Sequence, residues 1–379
     1  GCPGSLNILC LVLPVGQEDA YLSISQLAEK YGYPLEIHSL VTEDGHILNI
    51  HRIPNGRNVT CNGRVVFLMH GIWESSDGWL LQGPDKALAY ILADQGYDVW
   101  MGNARGNRHT LLHETFNSNM PQFWEFTWEE IGLYDLPAMI DYVLHLTGEK
   151  QLYYVGFSQG TTAYFVMNSM RPEYNDKIRL MFALAPEAYI WNAKNILLKI
   201  FSPAHSYLQY LLWDYNIYSP STDFFNRITP LICNILPMRC DNFFFSVVGP
   251  HHVNETLWPV ILGHVPTGSS TLQFIHYGQL VNSKRFCRFD YGREKNLVKY
   301  GQETPPDYDL EAVVSPIVLF YSGNDWFSDK RDVELLKKRL SKIVGSYYVK
   351  EFAHIDFMYA DEASKLVYSN IVNQIKSRS

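Results

Sequence analysis

The sequence predicts an α/β protein, with one mostly parallel sheet, helices on both faces and a long insertion. Two observations lead to this fold class. Short apolar runs that suit buried strands alternate with helical stretches up to residue 186, and the alternation resumes at residue 313. Between these parts, residues 187–312 are rich in aromatic side chains and break the alternation. We therefore predict one core made from residues 20–186 and 313–379, with residues 187–312 inserted as a cap and lid.

The elements of the predicted core follow from hydrophobic periodicity. Residues 37–54 contain two alternating runs joined at Glu43-Asp44-Gly45, which indicates a β-hairpin. Further strands are predicted at 64–69, 97–101, 152–156, 180–186, 313–321 and 347–351. Helices are predicted at 86–95, 127–146, 161–170, 330–340 and 362–376. Pro137 lies inside the second helix and predicts a kink or a break there.

The composition excludes several classes of function. The 379 residues carry 31 Lys and Arg against 39 Asp and Glu, a net charge of −8, and no basic patch stands out. Binding to nucleic acid or to anionic membranes is therefore not expected. C-x-x-C zinc spacing and a Gly-rich phosphate loop are absent, so we predict no metal and no organic cofactor. The aromatic content of 14% favours an apolar pocket or binding face in addition to the core.

The N-terminal sequence predicts a secretory leader. Leu6–Val15 is an apolar run with the length of a signal-peptide core, too short to span a bilayer. We predict that residues 1–19 are the remainder of a leader and that the mature chain starts after about Gly16; a buried N-terminal segment is the alternative. The sequons at Asn58 and Asn254 fit a secretory route. Four cysteines would remain, an even number that permits disulfides without assigning them: Cys61, Cys233, Cys240 and Cys287.

Gly156-Phe157-Ser158-Gln159-Gly160 lies between a predicted strand and a predicted helix. This is the setting of a nucleophile elbow, in which the serine takes a strained backbone conformation on a sharp turn. The two glycines remove side chains that would clash there. The pattern alone also fits an ordinary turn serine, but the strand-turn-helix context favours a nucleophile.

A serine nucleophile needs a base, and the base needs an orienting acid. His354 follows the predicted strand 347–351, and Asp325 follows the predicted strand 313–321. The order Ser, Asp, His along the chain is the one this kind of site requires. Asp329 is a rival acid, but its place before a helix suits an N-terminal cap.

A developing oxyanion needs hydrogen-bond donors that are already in place. We expect them to be the backbone N–H of Gln159, directly after the nucleophile, and that of Ile72, in the loop after strand 64–69. Taken alone, His70-Gly71 in that loop could equally be a simple turn.

Seven blocks of the sequence, in order, resemble the acid lipases, which include gastric lipase, lysosomal acid lipase and insect relatives. The blocks are YGYPLEIHSLVTEDGHILNIHRIP, HGIW, GYDVWMGNARGN, YDLPAMIDYV, GFSQG, SGNDWFSD and FAHIDFMYADEA, and the resemblance extends from about Tyr21 to Ile375. It implies an α/β-hydrolase core with a cap and lid. It also implies Ser158, Asp325 and His354 as the catalytic triad, and Ile72 and Gln159 as oxyanion donors.

The resemblance further implies a disulfide between Cys233 and Cys240 and leaves the other two cysteines unassigned. Two departures from the family pattern stand out. Phe157 replaces a histidine found in many relatives, and the lid region around residues 215–245 matches only loosely.

The expected function is that of a secreted, or alternatively lysosomal, serine lipase. It would hydrolyse neutral lipid esters at a lipid–water interface through an acyl-enzyme, without a membrane span. An esterase or thioesterase of soluble esters would use the same residues. A serine peptidase would too, but the apolar cap argues against it. A catalytically silent lipid-binding or storage protein is disfavoured by the complete Ser, Asp and His set.

Overall fold

The computed structural model describes residues 18–195, 198, 223–235, 240–242, 245 and 248–378. The predicted leader run Leu6–Val15 and the first part of the predicted lid, up to residue 222, lie outside these residues. Within the described chain the α/β fold class is confirmed. Nine strands form one sheet: β1 (Glu36–Val41), β2 (His46–Ile53), β3 (Val65–Met69), β4 (Asp98–Met101), β5 (Leu112–His113), β6 (Leu152–Phe157), β7 (Ile178–Leu184), β8 (Ile317–Ser322) and β9 (Ile343–Val349).

The sheet is mixed, with a parallel majority. Its order is β1-β2-β4-β3-β6-β7-β8-β9, and β5 pairs with β2. The hairpin predicted over residues 37–54 is present as the antiparallel pair β1 and β2, and β2 is also antiparallel to β4. From β4 through β9 every neighbouring pair is parallel.

Helices cover both faces of the sheet. The α-helices are α1 (Ile24–Lys30), α2 (Leu88–Asp94), α3 (Leu136–Thr147), α4 (Gln159–Met170), α5 (Asp223–Ile235), α6 (Trp258–His264), α7 (Thr271–Ser283), α8 (Arg293–Tyr300), α9 (Lys330–Arg339), α10 (Asp356–Tyr359) and α11 (Ser369–Ser377). Short 3-10 turns occur at Glu18–Tyr21, Ser76–Trp79, Pro121–Trp124, Pro172–Lys177, Glu255–Leu257 and Leu310–Ala312.

Alternate residues of the central strands enter two separate cores. In β3, Val66 and Leu68 pack with residues of α1, α2 and α11, whereas Phe67 packs with residues of α3 and α4 on the other face. Because both faces of the strand are buried, every residue of β3 must be apolar, which explains its continuous apolar run.

Pro137 does not end the helix in which it was predicted to cause a kink. A helical turn at Trp128–Glu130 continues through a π-helical segment, Ile131–Asp135, into α3. Pro137 therefore lies directly after the π-helical segment, where the regular backbone hydrogen-bond pattern of the helix is already interrupted.

Two predicted boundaries near the C-terminus were wrong. β8 starts at Ile317, four residues after the predicted start, and β9 starts at Ile343, four residues before it. β9 is the edge strand and its side chains are half-buried or exposed, so its apolar signal is weak. The last predicted helix, over residues 362–376, is confirmed, and it includes a π-helical segment, Ser364–Tyr368, that leads into α11.

The predicted insertion lies between β7 and β8, which are direct parallel neighbours in the sheet. Its described part is helical rather than irregular, and contains α5 to α8. The Cys233–Cys240 disulfide implied by the family resemblance is formed at the end of α5. Cys61 and Cys287 are free thiols, and Cys287 is buried. Among the described helices, none has both the length and the apolar character needed to cross a bilayer.

Candidate active site

Ser158 occupies the sharp turn between β6 and α4. Its backbone has φ of 52° and ψ of −118°, a left-handed conformation that is strained for a residue with a side chain. The flanking glycines are required by close contacts. A Cβ on Gly156 would meet the carbonyl of Gly160 at 3.0 Å, and a Cβ on Gly160 would collide with the carbonyl oxygen of Met69. The backbone of the elbow therefore packs directly against the backbone at the end of β3.

The structure brings the predicted base and acid to this serine. Nε2 of His354 lies 2.8 Å from Oγ of Ser158, and its Nδ1 lies 2.9 Å from Oδ2 of Asp325. All three side chains are buried. With Nδ1–H donated to the carboxylate, Nε2 is left as an acceptor for the serine hydroxyl. The arrangement can therefore move the Ser158 proton onto His354.

Asp325 and Asp329 make different contacts. Oδ1 of Asp325 accepts hydrogen bonds of 2.8 Å from the backbone N–H groups of Phe327 and Ser328, which fix the carboxylate under His354. Asp329 caps α9 by accepting the N–H of Arg331 at 2.9 Å. The rival acid thus has the capping contact expected from its place before the helix.

Burial and neighbouring carboxylates shift the pKa of His354 in opposite directions. Burial lowers the pKa of the imidazole, because desolvation disfavours the charged form. The carboxylates of Asp325, Glu187 and Glu74 outweigh this effect, so the pKa of His354 is raised above its usual value. The base is therefore more readily protonated than a free imidazole.

The loop after β3 is braced by a buried histidine. Nδ1–H of His70 donates to the carbonyl of Gly71 at 2.7 Å, and its Nε2 accepts the N–H of Ala104 at 3.1 Å. Burial lowers the pKa of His70 to about 4, so the ring is neutral in this tautomer. His70 is thus more than part of a simple turn, since it holds the loop that carries Ile72.

The two residues predicted to supply oxyanion donors share one small cavity. Ile72 and Gln159 both line it, together with Trp73 and Gln273. A Cβ on Gly71 would meet Cβ of Ser158 at 3.2 Å, which shows how closely this loop approaches the elbow. The side chain of Gln159 is hydrogen-bonded to that of Gln273 in α7, so the insertion covers this side of the site.

Two buried glutamates at the site were missed by sequence reasoning. Glu74 accepts the hydroxyl of Tyr359 at 2.8 Å and the N–H of Gly71 at 3.2 Å, and burial raises its pKa. Oε1 of Glu187 lies 3.7 Å from Nε2 of His354, and burial raises its pKa to about 7. A signal was available for Glu187, because it follows the buried strand β7 just as Ser158 follows β6.

The remaining site predictions concern glycans and metals. The side chains of Asn58 and Asn254 belong to exposed residues. Oδ1 of Asn254 accepts hydrogen bonds from the N–H and hydroxyl of Thr256 within its sequon. Over the described parts of the chain, no three His, Cys, Asp or Glu side chains are grouped to hold a metal ion.

Comparison with known proteins agrees with this fold. Residues 24–83 match the family described as a partial alpha/beta-hydrolase lipase region, and residues 64–205 match the alpha/beta hydrolase fold. The solved structure of a membrane phospholipase A superposes with a TM-score of 0.55 at 14% identity, covering 98% of this chain and 96% of its own. A carboxylesterase from Bacillus subtilis gives 0.52 at 11% identity, covering 94% and 95%. The protein is an α/β-hydrolase.

Several curated lipases are much more similar in sequence. Lipase 3 of Drosophila melanogaster is 41% identical over 99% of both chains. Lipase 1 of the same species is 40% identical over 94% of this chain and 80% of its own. Human gastric triacylglycerol lipase is 36% identical over 95% of this chain and 92% of its own. The chain belongs to the acid lipase family.

Proposed function

We propose that the protein is a serine lipase that hydrolyses carboxylic ester bonds of neutral lipids, triacylglycerol or cholesteryl ester. The observation that carries this proposal is the chain of contacts from Ser158 through His354 to Asp325, at the carboxyl ends of three parallel strands. Membership of the acid lipase family supports the ester substrate. Exposed apolar residues on the insertion support a lipid surface as the place of reaction.

In the acylation step, Oγ of Ser158 attacks the ester carbonyl carbon while Nε2 of His354 takes its proton. The negative charge that develops on the carbonyl oxygen is received by the backbone N–H groups of Ile72 and Gln159. The C–O bond to the alcohol then breaks, and His354 returns the proton to the leaving oxygen. The products of this step are the free alcohol and an acyl ester on Ser158.

In the deacylation step, water takes the place of the alcohol. His354 removes a proton from the water as its oxygen attacks the acyl carbon, and then returns the proton to Oγ of Ser158. A fatty acid leaves and the free serine is restored. Asp325 keeps Nδ1 of His354 protonated during both steps, so that Nε2 remains the atom that exchanges protons.

The apolar face of α5 supports action at a lipid surface. Ile228, Ile232 and Ile235 are 39%, 47% and 68% exposed and are spaced four and three residues apart, on one side of the helix. The opposite side carries Asn226 and Cys233, which are buried. Exposed apolar side chains in such a row can move from water into lipid when the protein binds an oil–water boundary.

We further propose that the protein follows the secretory route, to the extracellular space or alternatively to the lysosome. The leader predicted over residues 1–19 and the exposed sequons Asn58 and Asn254 support this route. Asp19, however, is buried, and its carbonyl accepts a hydrogen bond of 2.9 Å from Nε2 of His264. A cut after about Gly16 would keep this contact. N-terminal sequencing of secreted protein, with and without deglycosylation, tests the route.

Activity measurements test the proposed reaction. Purified protein is assayed on emulsified triglyceride, emulsified cholesteryl ester and a short soluble ester, with Ser158→Ala as the control. We expect hydrolysis of at least one emulsified substrate above its solubility limit, and none above background by the variant. Hydrolysis of the soluble ester alone would favour a plain esterase, and an inactive protein would contradict the proposal.

A further inference from the structure

Glu187 brings a carboxyl group to the Nε2 side of His354, the side from which Ser158 delivers its proton. Its Oε1 lies 3.7 Å from Nε2. Asp325 holds the opposite ring nitrogen, Nδ1. The imidazole therefore lies between two buried carboxyl groups, one on each nitrogen.

The position of Glu187 is fixed by the helix that begins at the elbow. Its backbone N–H donates to Oγ1 of Thr161 at 2.9 Å, and Oγ1 of Thr162 donates to its carbonyl at 2.8 Å. Only 4% of the residue is exposed, so its carboxyl group cannot turn freely into solvent. Both threonines lie in the first turn of α4, and Glu187 therefore keeps its place relative to Ser158.

The groups that face the Glu187 carboxyl come from four other elements. They are His354 after β9, Asp325 after β8, Ser158 at the elbow and the hydroxyl of Tyr277 in α7. None of these four is a permanent cation. A buried carboxylate without such a partner is costly, and burial therefore raises the pKa of Glu187 to about 7.

We infer that Glu187 is a second carboxylate of the active site and that it sets the pH range in which His354 can accept the Ser158 proton. This inference rests on the proposed function. The titratable groups that act on His354 are Asp325, Glu187 and Glu74, while the rings of Phe157 and Phe327 pack against the imidazole. Of these carboxylates, Asp325 contacts Nδ1, and Oε1 of Glu187 lies 3.7 Å from the reacting Nε2.

The charge of Glu187 determines in which direction the pKa of His354 moves. An ionised Glu187 stabilises the imidazolium, so His354 keeps its proton to a higher pH and the acid limb of activity lies higher. Because the reaction needs the neutral imidazole, activity should rise with pH as His354 loses its proton and then level off.

The test compares the wild-type protein with Glu187→Gln, which keeps the shape and removes the charge. The first readout is kcat/KM for p-nitrophenyl butyrate between about pH 4 and about pH 9. The second is the inactivation rate with a p-nitrophenyl alkylphosphonate, which forms an Oγ–P bond on Ser158 and releases p-nitrophenolate. The control is Glu130→Gln, a half-buried residue whose charged neighbours are Glu129 and Arg105 and whose capping contact a glutamine can keep.

In Glu187→Gln, we expect the acid limb of both profiles to move down by about one pH unit. Glu130→Gln should superimpose on the wild type. If Glu187→Gln were active and gave the same pH profiles as the wild type, the inference would be overturned and the proposed function would stand. A wild-type protein that neither hydrolyses esters nor reacts with the phosphonate would overturn the proposed function as well.

The wild-type protein provides a measurement that does not depend on the folding of a variant. Its phosphonate inactivation rate should rise with pH to a plateau, and the midpoint of the rise should lie above the ordinary imidazole value of about 6.5. A midpoint at or below about 6.5 would overturn the inference.

Discussion

Oδ2 of Asp77 lies 2.8 Å from Nδ1 of His264, and both residues are only 1% exposed. Asp77 belongs to the turn after the loop that carries Ile72, whereas His264 ends α6 of the insertion. The same carboxylate also accepts a hydrogen bond of 2.7 Å from Nε2 of His109. One buried aspartate therefore joins the core, a neighbouring loop and the insertion next to the active site.

Asp77→Asn should destabilise the protein by about 3 kcal/mol, because it removes the charge of a buried carboxylate that the buried His264 and the half-buried His109 share. Burial acts to raise the pKa of Asp77, but the histidines outweigh burial and hold it well below its usual value. The stabilisation is therefore complete above about pH 4 and is lost as the pH falls below it. Urea unfolding of both proteins at several pH values measures this. A free-energy difference that stayed the same down to about pH 2 would contradict the assignment.

Asp325→Asn should lower kcat about 10⁴-fold on any ester, because the amide no longer holds the tautomer of His354 that leaves Nε2 free. Asp329→Asn is the matched control, since asparagine caps a helix as well as aspartate does. It should retain wild-type turnover and lose at most about 1 kcal/mol through its ion pair with Arg331. Turnover numbers and thermal melts of both variants decide between the two acids. Equal losses in both would undermine the proposed triad.

The sequence was sufficient to find the proposed triad residues because each lies in the loop that follows a predicted strand. Parallel strands end at one edge of a sheet, so chain order and strand ends alone predicted that Ser158, Asp325 and His354 would meet. The same rule applies to Glu187 after β7, but that residue had been assigned to the start of the insertion. Its contact with His354 depends on how the chain leaves β7, which hydrophobic periodicity does not report.

Other differences have similar physical causes. β9 is an edge strand with side chains that are largely half-buried or exposed, and Gly345 interrupts its apolar pattern. Helices α5 to α8 were not predicted, because their buried and exposed apolar residues do not separate into a simple pattern along the sequence. In α7, for example, the buried face includes Gln273, His276 and Gln279.

Gly160→Ala should abolish activity and reduce folding, because its methyl group would collide with the Met69 carbonyl oxygen and lie 2.9 Å from that of His70. These are backbone atoms at the end of β3 and in the loop after it, so they cannot move aside without shifting the loop that carries Ile72. Gly148→Ala is the control. Its φ is 72° and nothing lies within 4 Å of the new methyl group, so it should cost only about 1 kcal/mol and keep full turnover. Specific activity of the soluble fraction, with circular dichroism, compares the two. An active Gly160→Ala would refute the tight contact at the elbow.

Ile232→Glu should impair hydrolysis of emulsions while sparing that of a soluble ester. Ile232 lies in the middle of the exposed row on α5, and its neighbours Ile228 and Ile235 are exposed on the same side. Transfer of one such side chain into lipid is worth about 2 kcal/mol, and a buried carboxylate adds a further penalty, so emulsion turnover should fall about tenfold or more. The opposite face of α5 is packed, with Cys233 in an apolar cluster with Cys240 and Leu262, so the substitution should not disturb folding.

The matched control for the exposed row on α5 is Val298→Glu. Val298 in α8 is 90% exposed and apolar, but it belongs to a different helix of the insertion. Both variants are assayed on emulsified triglyceride and on p-nitrophenyl butyrate, and their binding to neutral lipid droplets is measured by flotation. We expect only Ile232→Glu to lose emulsion turnover and droplet binding, because a general effect of added negative charge would weaken both variants equally. If Ile232→Glu kept both properties, the lipid surface would have to be met by another part of the molecule.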